Sequence, residues 1–306
     1  MTPQNSHAQN SHARSPHAEF TAAARECSTV ILRRYSTSFA LACRLLNPAT
    51  RPHVAAIYAW ARVGDEVVDG AMDDPATARD LIADARRRTH RAIERGLDPD
   101  PVTHAFADTA RRFGIGARLV DPFYDSMEAD LNIAEHTEES LRRYIHGSAE
   151  VIGEMCLRTF AGGGLGDDDA TAAGARALGS AFQKVNFLRD VREDSSDLGR
   201  NYFPGRDPRA LSERDVTELA DDVDADLRVA RAAIDTIPGR DRLAVLAAHD
   251  LFAELNDRLR AAGAAGVSAG RVRVPNPVKL AVIGRAATAY GRSGRGQSAH
   301  GRAMSR

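Results

Sequence analysis

The sequence predicts an all-α protein, and three observations carry that prediction. Alanine is abundant and β-branched runs are scarce along the 306 residues, a bias that favours helix over strand. Apolar residues recur at three- and four-residue spacings through most of the chain, as on the buried face of an amphipathic helix. Strand-like and helix-like runs do not alternate, and no G-x-G-x-x-G follows a strand-like run, so a nucleotide-binding α/β fold is not expected.

The elements follow in order. Residues 1–19 hold the repeat Gln4-Asn5-Ser6-His7-Ala8, Gln9-Asn10-Ser11-His12-Ala13, with His7, His12 and His17 five apart. This reads as a disordered low-complexity tail rather than a metal-binding tract. Periodicity predicts helices over 20–35 and 39–46. Pro52 opens the next, 53–68, which Gly70 and Asp73-Asp74-Pro75 end. A charged helix over 76–95 has a modest stripe of Leu81, Ala85 and Ile93. Helices over 101–113, 117–132 and 138–160 come next, and Gly162-Gly163-Gly164 breaks the chain. Helices over 167–194, 212–236 and 240–262 complete the set. Residues 271–274 are strand-like and stop at Pro275 and Pro277. Residues 291–306, rich in Gly, Ser and Arg, read as a second disordered tail. No linker interrupts 20–290, which is expected to be one domain.

Composition narrows the function. Hydrophobic residues are 43% and charged residues 27%, as in ordinary globular chains. A net charge of −1 gives no electrostatic case for a nucleic-acid partner. Cys27, Cys43 and Cys156 are odd in number and far apart, without C-x-x-C, so neither a disulfide framework nor a zinc site is expected. No apolar run reaches the ~18 residues of a membrane span, and the N-terminus lacks a secretory apolar core. A cytoplasmic location follows as the expectation. His53, His90, His104 and His249 stand singly on helices and read as surface or satisfied core residues; Cys43 and Cys156 read as small core residues.

Two acidic helical segments carry the chemistry. In the first, Arg62, Asp65 and Asp69 fall on one stripe; in the second, Gln183, Asn186, Asp190 and Asp194 do. Aspartates four apart on a helix lie roughly 6 Å from each other. Unpaired, they repel, and a shared cation relieves the repulsion. Oxygen-only ligands suit Mg2+, with Mn2+ as the alternative. The plain alternatives are a solvated Arg–Asp pair for the first stripe and a buried polar packing network for the second. Apolar neighbours Val54, Ile57, Val185, Leu188 and Val191 weigh against a merely solvated face. Two acidic helices, a divalent cation and an apolar interior suit a diphosphate with a hydrocarbon tail, and Arg62, Arg189 and Arg271 are candidate phosphate contacts.

Several blocks in order resemble the squalene/phytoene synthase family. They are Tyr35-Ser36-Thr37-Ser38-Phe39, the Arg62–Asp69 motif, the Tyr144…Gly147…Gly153 segment, and Gln183-x-x-Asn186-x-x-Arg189-Asp190-x-x-Glu193-Asp194 followed by Arg200-Asn201-Tyr202-Phe203-Pro204. The resemblance spans about residues 25–287. It implies an all-α isoprenoid synthase fold with a central cavity, and head-to-head condensation of two prenyl diphosphates through a cyclopropyl diphosphate. It implies that Asp65, Asp69, Asp190 and Asp194, with Asn186, hold metal. Gln183, Arg62, Tyr144, Arg189 and Arg271 would contact diphosphate or intermediate. Tyr35, Ser36, Ser38 and Phe39 would form lid and substrate wall, and Tyr202 would line the cavity near the second ionisation.

The chain departs from the family pattern at Glu66, Gly70, His146 and Glu150. Glu150 stands where the family carries glycine, and is expected to narrow or polarise the cavity. The Asp65-Glu-Val-Val-Asp69-Gly form and the Arg271-to-Lys279 ending look most like actinobacterial phytoene synthases. That implies geranylgeranyl diphosphate as substrate, phytoene as product, carotenoid biosynthesis as setting and no nicotinamide. The rival within the family is squalene, dehydrosqualene or hydroxysqualene from farnesyl diphosphate. Chain elongation, terpene cyclisation and a non-catalytic assembly factor are the more distant readings. A greasy product implies transient contact with a membrane surface, at its inner face, and admits downstream carotenoid enzymes as partners.

Overall fold

The computed structural model describes residues 15–71, 74–165, 169–196 and 199–303. The repeat with His7 and His12 lies outside them. Helix α1 (Pro16–Tyr35) starts at Pro16 rather than at residue 20, because Ser15 caps it: its hydroxyl accepts the Ala18 N–H, and proline occupies the first turn. Helices α2 (Thr37–Cys43) and α3 (Arg51–Glu66) follow. Next come α4 (Pro75–Arg95), α5 (Pro101–Phe113) and α6 (Ala117–Asp130). On α4 the buried residues are Ala78, Ile82, Thr89 and Ala92; of the expected stripe Ala85 and Ile93 are partly buried against the core, while Leu81 is 42% exposed.

The expected single helix over 138–160 is three pieces. They are α7 (Glu138–Ile145), a π-helical turn His146–Glu150, and α8 (Val151–Thr159). A second π turn, Val67–Ala71, continues α3 and carries Asp69. Single π turns of this kind are frequent at functional sites. The first is pressed between helices. A Cβ at Gly147 would lie 1.9 Å from the Pro122 carbonyl oxygen of α6.

Helix α9 (Asp169–Ser196) lies against both pieces: a Cβ at Gly179 would lie 2.4 Å from the Ala149 carbonyl oxygen, and one at Gly153 2.3 Å from that of Ala175. Backbone meets backbone there, which only glycine allows.

Helices α10 (Glu213–Ile234) and α11 (Gly239–Ala269) pack on α9. Val185, Leu188 and Val191 share a core with Val216, Leu227, Leu255 and Leu259. A second core gathers Ile57, Trp60, Phe106, Phe123 and Met155, with Trp60 stacked on Phe106 at 4.0 Å between centroids. The expected stop after Ala262 falls on a kink at Gly263 (φ 63°), and the helix resumes beyond it.

Residues 271–275 have no regular secondary structure, and no strand occurs among the described residues. A strand needs a neighbouring edge, and an all-helical fold offers none. Pro277 does not end a strand: it sits in the first turn of α12 (Asn276–Ala303), where its missing N–H costs nothing. Sequence patterning does not predict that helix and reads its C-terminal half as disordered. Helical hydrogen bonds are satisfied within the segment, so a stretch without apolar residues can still be helical.

The lone histidines are held by hydroxyl neighbours: His53 Nδ1 lies 2.9 Å from Thr109 Oγ1 and His104 Nε2 2.9 Å from Thr21 Oγ1, while His104 Nδ1 is buried without a partner. The three cysteines are free, and Cys43 is buried. Among the described residues no helix is long and apolar enough to cross a membrane.

Candidate active site

One cavity of about 850 Å³ runs through the helical body. Its wall changes character along α9. Gly174, Ala175, Leu178, Gly179 and Phe182 line one stretch, and Gln183, Asn186, Asp190 and Asp194 the next, over roughly 30 Å of helix. Helix α3 repeats the change from Val54 and Tyr58 to Arg62 and Asp65. From α10 and α11 come the small side chains Ala230, Ala233, Ala244 and Ala248 together with the larger Ile234, Val245 and Phe252.

In the polar part, carboxylates and guanidiniums interleave. Arg62 lies 3.8 Å from Asp65 and 3.4 Å from Asp69, and hydrogen-bonds Glu66. Arg200 reaches Asp69 at 3.0 Å and donates to the Val68 carbonyl at 2.6 Å. Across the cavity, Arg189 pairs with its neighbour Asp190, and Arg271, from the irregular 271–275 segment, meets the same carboxylate at 3.0 Å. The Arg62 guanidinium lies 4.8 Å from the centre of the Tyr35 ring, a cation–π contact that ties α1 to the polar end.

Burial and like charge raise two of these acids. Asp65 is pushed up to about 8, first by burial and then by Asp69. Asp194 is pushed up to about 7, first by burial and then by Asp190. The Asp65 side chain keeps 39% of its area open, but that area is cavity wall, where little bulk water solvates a charge. Asp130, on α6, is raised to about 6 by burial against the pull of Arg200 and two phenols. Its oxygens accept the Tyr144 and Tyr202 hydroxyls, each at 2.8 Å. Tyr202 stacks on Phe187 at 4.2 Å.

The squalene/phytoene synthase profile matches residues 32–277, most of the chain and all of this cavity's polar wall. The chain belongs to the squalene/phytoene synthase family. That makes it a prenyltransferase-type enzyme, of the kind that condenses prenyl diphosphates head to head. It is 29% identical over 261 residues to phytoene synthase of Pseudescherichia vulneris, covering 77% of this chain and 82% of that protein. It is 35% identical over 202 residues to phytoene synthase of Mycobacterium tuberculosis, covering 64% of each. It is also 30% identical over 197 residues to 4,4'-diapophytoene synthase of Staphylococcus haemolyticus, covering 64% of this chain and 66% of that one. Among solved structures, a dehydrosqualene synthase in complex with ligand superposes with a TM-score of 0.77 at 19% identity, over 90% of this chain and 99% of that one. Squalene synthase HpnC from Alicyclobacillus acidocaldarius gives 0.66 at 22%, over 79% and 93%. At these identities the two structures speak to the fold alone, and the fold is that of squalene synthases.

Against this family frame, the cavity brings together Tyr35, Ser36, Phe39, Arg62, Asp65, Asp69, Tyr144, Gln183, Asn186, Arg189, Asp190, Asp194, Tyr202 and Arg271. Ser38 is not on the wall; α2 turns Phe39, Ala42 and Cys43 to it instead. Glu150 neither narrows nor polarises the cavity, contrary to expectation. Glu150 does not line the cavity, because its π turn presents Ser148 and Ala149 there, and its carboxylate pairs with His146 Nδ1 at 2.9 Å. Asp130 and Arg200 are wall residues that sequence reasoning did not assign. Arg200 opens the Arg200–Pro204 block, whereas Asp130 has no acidic neighbour at helical spacing.

Among the described residues no three His, Cys, Asp or Glu side chains form a ready-made metal cage. The donor types nevertheless fit a hard cation. All are oxygens, and Asn186 Oδ1 is buried in the wall without a hydrogen-bond partner. Asp65 with Asp69, and Asp190 with Asp194 and Asn186, read as two partial ligand sets.

Proposed function

We propose that the protein condenses two molecules of geranylgeranyl diphosphate to phytoene by way of a cyclopropyl diphosphate, in carotenoid biosynthesis. The observation that carries this reading is a cavity in which a charged wall of paired aspartates and arginines continues into a long apolar stretch. Relatives named phytoene synthase at 29% and 35% identity support the longer substrate.

In this reading Asp65, Asp69, Asn186, Asp190 and Asp194 would hold Mg2+, or Mn2+ in its place. The bound metal would offset the charge on departing pyrophosphate. Arg62, Arg189 and Arg271 exchange their carboxylate partners for diphosphate oxygens and fix the two head groups. The first substrate loses pyrophosphate and leaves an allylic cation. The second substrate's double bond attacks it, and proton loss closes the cyclopropane. A second ionisation, rearrangement and proton loss give the hydrocarbon, with no reductant consumed and no nicotinamide required. The apolar wall keeps water from the cations, and Tyr202 lines the cavity near the second ionisation. The product has no polar group, so release toward the inner membrane surface and downstream carotenoid enzymes belongs to the same reading, with the enzyme on the cytoplasmic side.

The test is to incubate the full chain with Mg2+ and either farnesyl or geranylgeranyl diphosphate, following pyrophosphate release and extracted hydrocarbons. Phytoene from the C20 substrate is expected. A C30 hydrocarbon alone would move the protein to the reading its diapophytoene synthase relative suggests. No pyrophosphate from either substrate would overturn the enzymatic reading.

A further inference from the structure

Asp130 differs from the other carboxylates of the cavity. Its side chain is 3% exposed, against 17% for Asp190, 36% for Asp69 and 39% for Asp65. Both oxygens are already used: Oδ2 accepts from the Tyr144 hydroxyl and Oδ1 from the Tyr202 hydroxyl, each at 2.8 Å, and Arg200 Nη1 lies 4.0 Å from Oδ1. A phenol has one hydrogen to donate. With both hydrogens committed to Asp130, Tyr144 and Tyr202 have only lone pairs left to offer any other group, and both residues line the cavity.

The rings are held as firmly as the hydroxyls. Tyr202 is stacked on Phe187 at 4.2 Å and 10°, with His136 at 5.4 Å and 20°. Tyr144 lies 5.2 Å from Tyr202, and its carbonyl accepts the Ser126 hydroxyl at 3.0 Å. Arg200 binds Asp69 as well, so the cluster is anchored to the charged part of the cavity.

We propose that Asp130 is a positioning residue that orients Tyr144 and Tyr202 so that their oxygen lone pairs, and not their hydrogens, face the cationic intermediates. The inference rests on the function proposed above. It assigns Asp130 no metal and no proton transfer. Its effect is electrostatic: dipoles fixed before the reaction cost no reorganisation when positive charge develops.

The test is Asp130→Asn, nearly the same shape but with one acceptor and one NH2 donor. One phenol then faces a donor and must turn its hydrogen elsewhere, reversing its dipole. In the wild type, pyrophosphate release establishes the parent reaction. In D130N, kcat for hydrocarbon formation should fall about 100-fold while KM for the prenyl diphosphate holds. In a Tyr144→Phe/Tyr202→Phe background D130N should cost almost nothing more, because residues acting through one another are not additive. A purely structural role would instead add its loss to that of the phenylalanine variants. If D130N melts out, the two Tyr→Phe variants carry the test, each expected to lower kcat without raising KM. Normal kcat in D130N, full additivity, or normal kcat in both Tyr→Phe variants would overturn the inference with the wild-type reaction intact. A wild type that releases no pyrophosphate would overturn the function itself.

Discussion

Asp65 and Asp194 retain protons that the unfolded chain would release, because burial and a carboxylate neighbour raise them to about 8 and about 7. The sign follows from linkage. Where the folded state binds more protons than the unfolded one, stability falls as pH rises. For Asp65 that window runs from its ordinary 3.8 up to about 8. His53, lowered to about 4 by burial, acts oppositely below its ordinary 6.5. The aspartate effect is therefore clearest between these limits, above His53's ordinary value and up to that of Asp65. Thermal melts of the ligand-free protein should show Tm falling as pH is raised through that interval, and Asp65→Asn should flatten the slope. A rising Tm in the wild type would contradict the burial argument. At this scale Asp65, Asp69, Asp190 and Asp194 were legible because their spacing is a local signal. Asp130 was not, because its partners Tyr144, Arg200 and Tyr202 come from other parts of the chain.

The helices were legible because each buries a periodic face, and α5 (Pro101–Phe113) has the expected bounds. The π turns Val67–Ala71 and His146–Glu150 were not. One widened turn leaves composition and apolar spacing almost unchanged, and what it alters is the direction of the residues that follow. The second turn is set by contact at Gly179, where a Cβ would lie 2.4 Å from the Ala149 carbonyl oxygen. Gly179→Ala should destabilise by about 1–3 kcal/mol, the usual cost of overpacking, and lower activity by shifting the wall at Ser148 and Ala149. Gly284, inside α12, where a Cβ would meet nothing within 4 Å, is the control: Gly284→Ala should not destabilise and should add up to about 1 kcal/mol. Urea denaturation of both variants checks the pair, and equal stability would place the constraint elsewhere.

Taken as a whole, the molecule sets the length of the tail it accepts. Helices α10 and α11 line the apolar part with Ile234, Val245 and Phe252 and, between them, with small residues such as Ala244 and Ala248. Ala248 is 6% exposed, so a larger side chain there takes volume from the cavity. Ala248→Phe should lower kcat/KM for geranylgeranyl relative to farnesyl diphosphate by at least about tenfold, the scale of discrimination an apolar pocket supplies. Competition between the two substrates, read as C40 against C30 hydrocarbon, measures it. An unchanged ratio would show that the tail does not pass Ala248.

By itself, the sequence determined that the chain is helical, that two acidic stripes mark its chemistry, and that its ordered motifs are those of the squalene/phytoene synthase family. Each is a local property, set by spacing along one helix or by blocks in chain order. Only the tertiary structure decided that the stripes share one cavity, that Glu150 is turned away from it, and that Asp130 holds two tyrosines from distant segments. Those facts depend on how far helices approach and which way a turn directs a side chain, and close-packed backbone contacts at Gly147, Gly153 and Gly179 fix both.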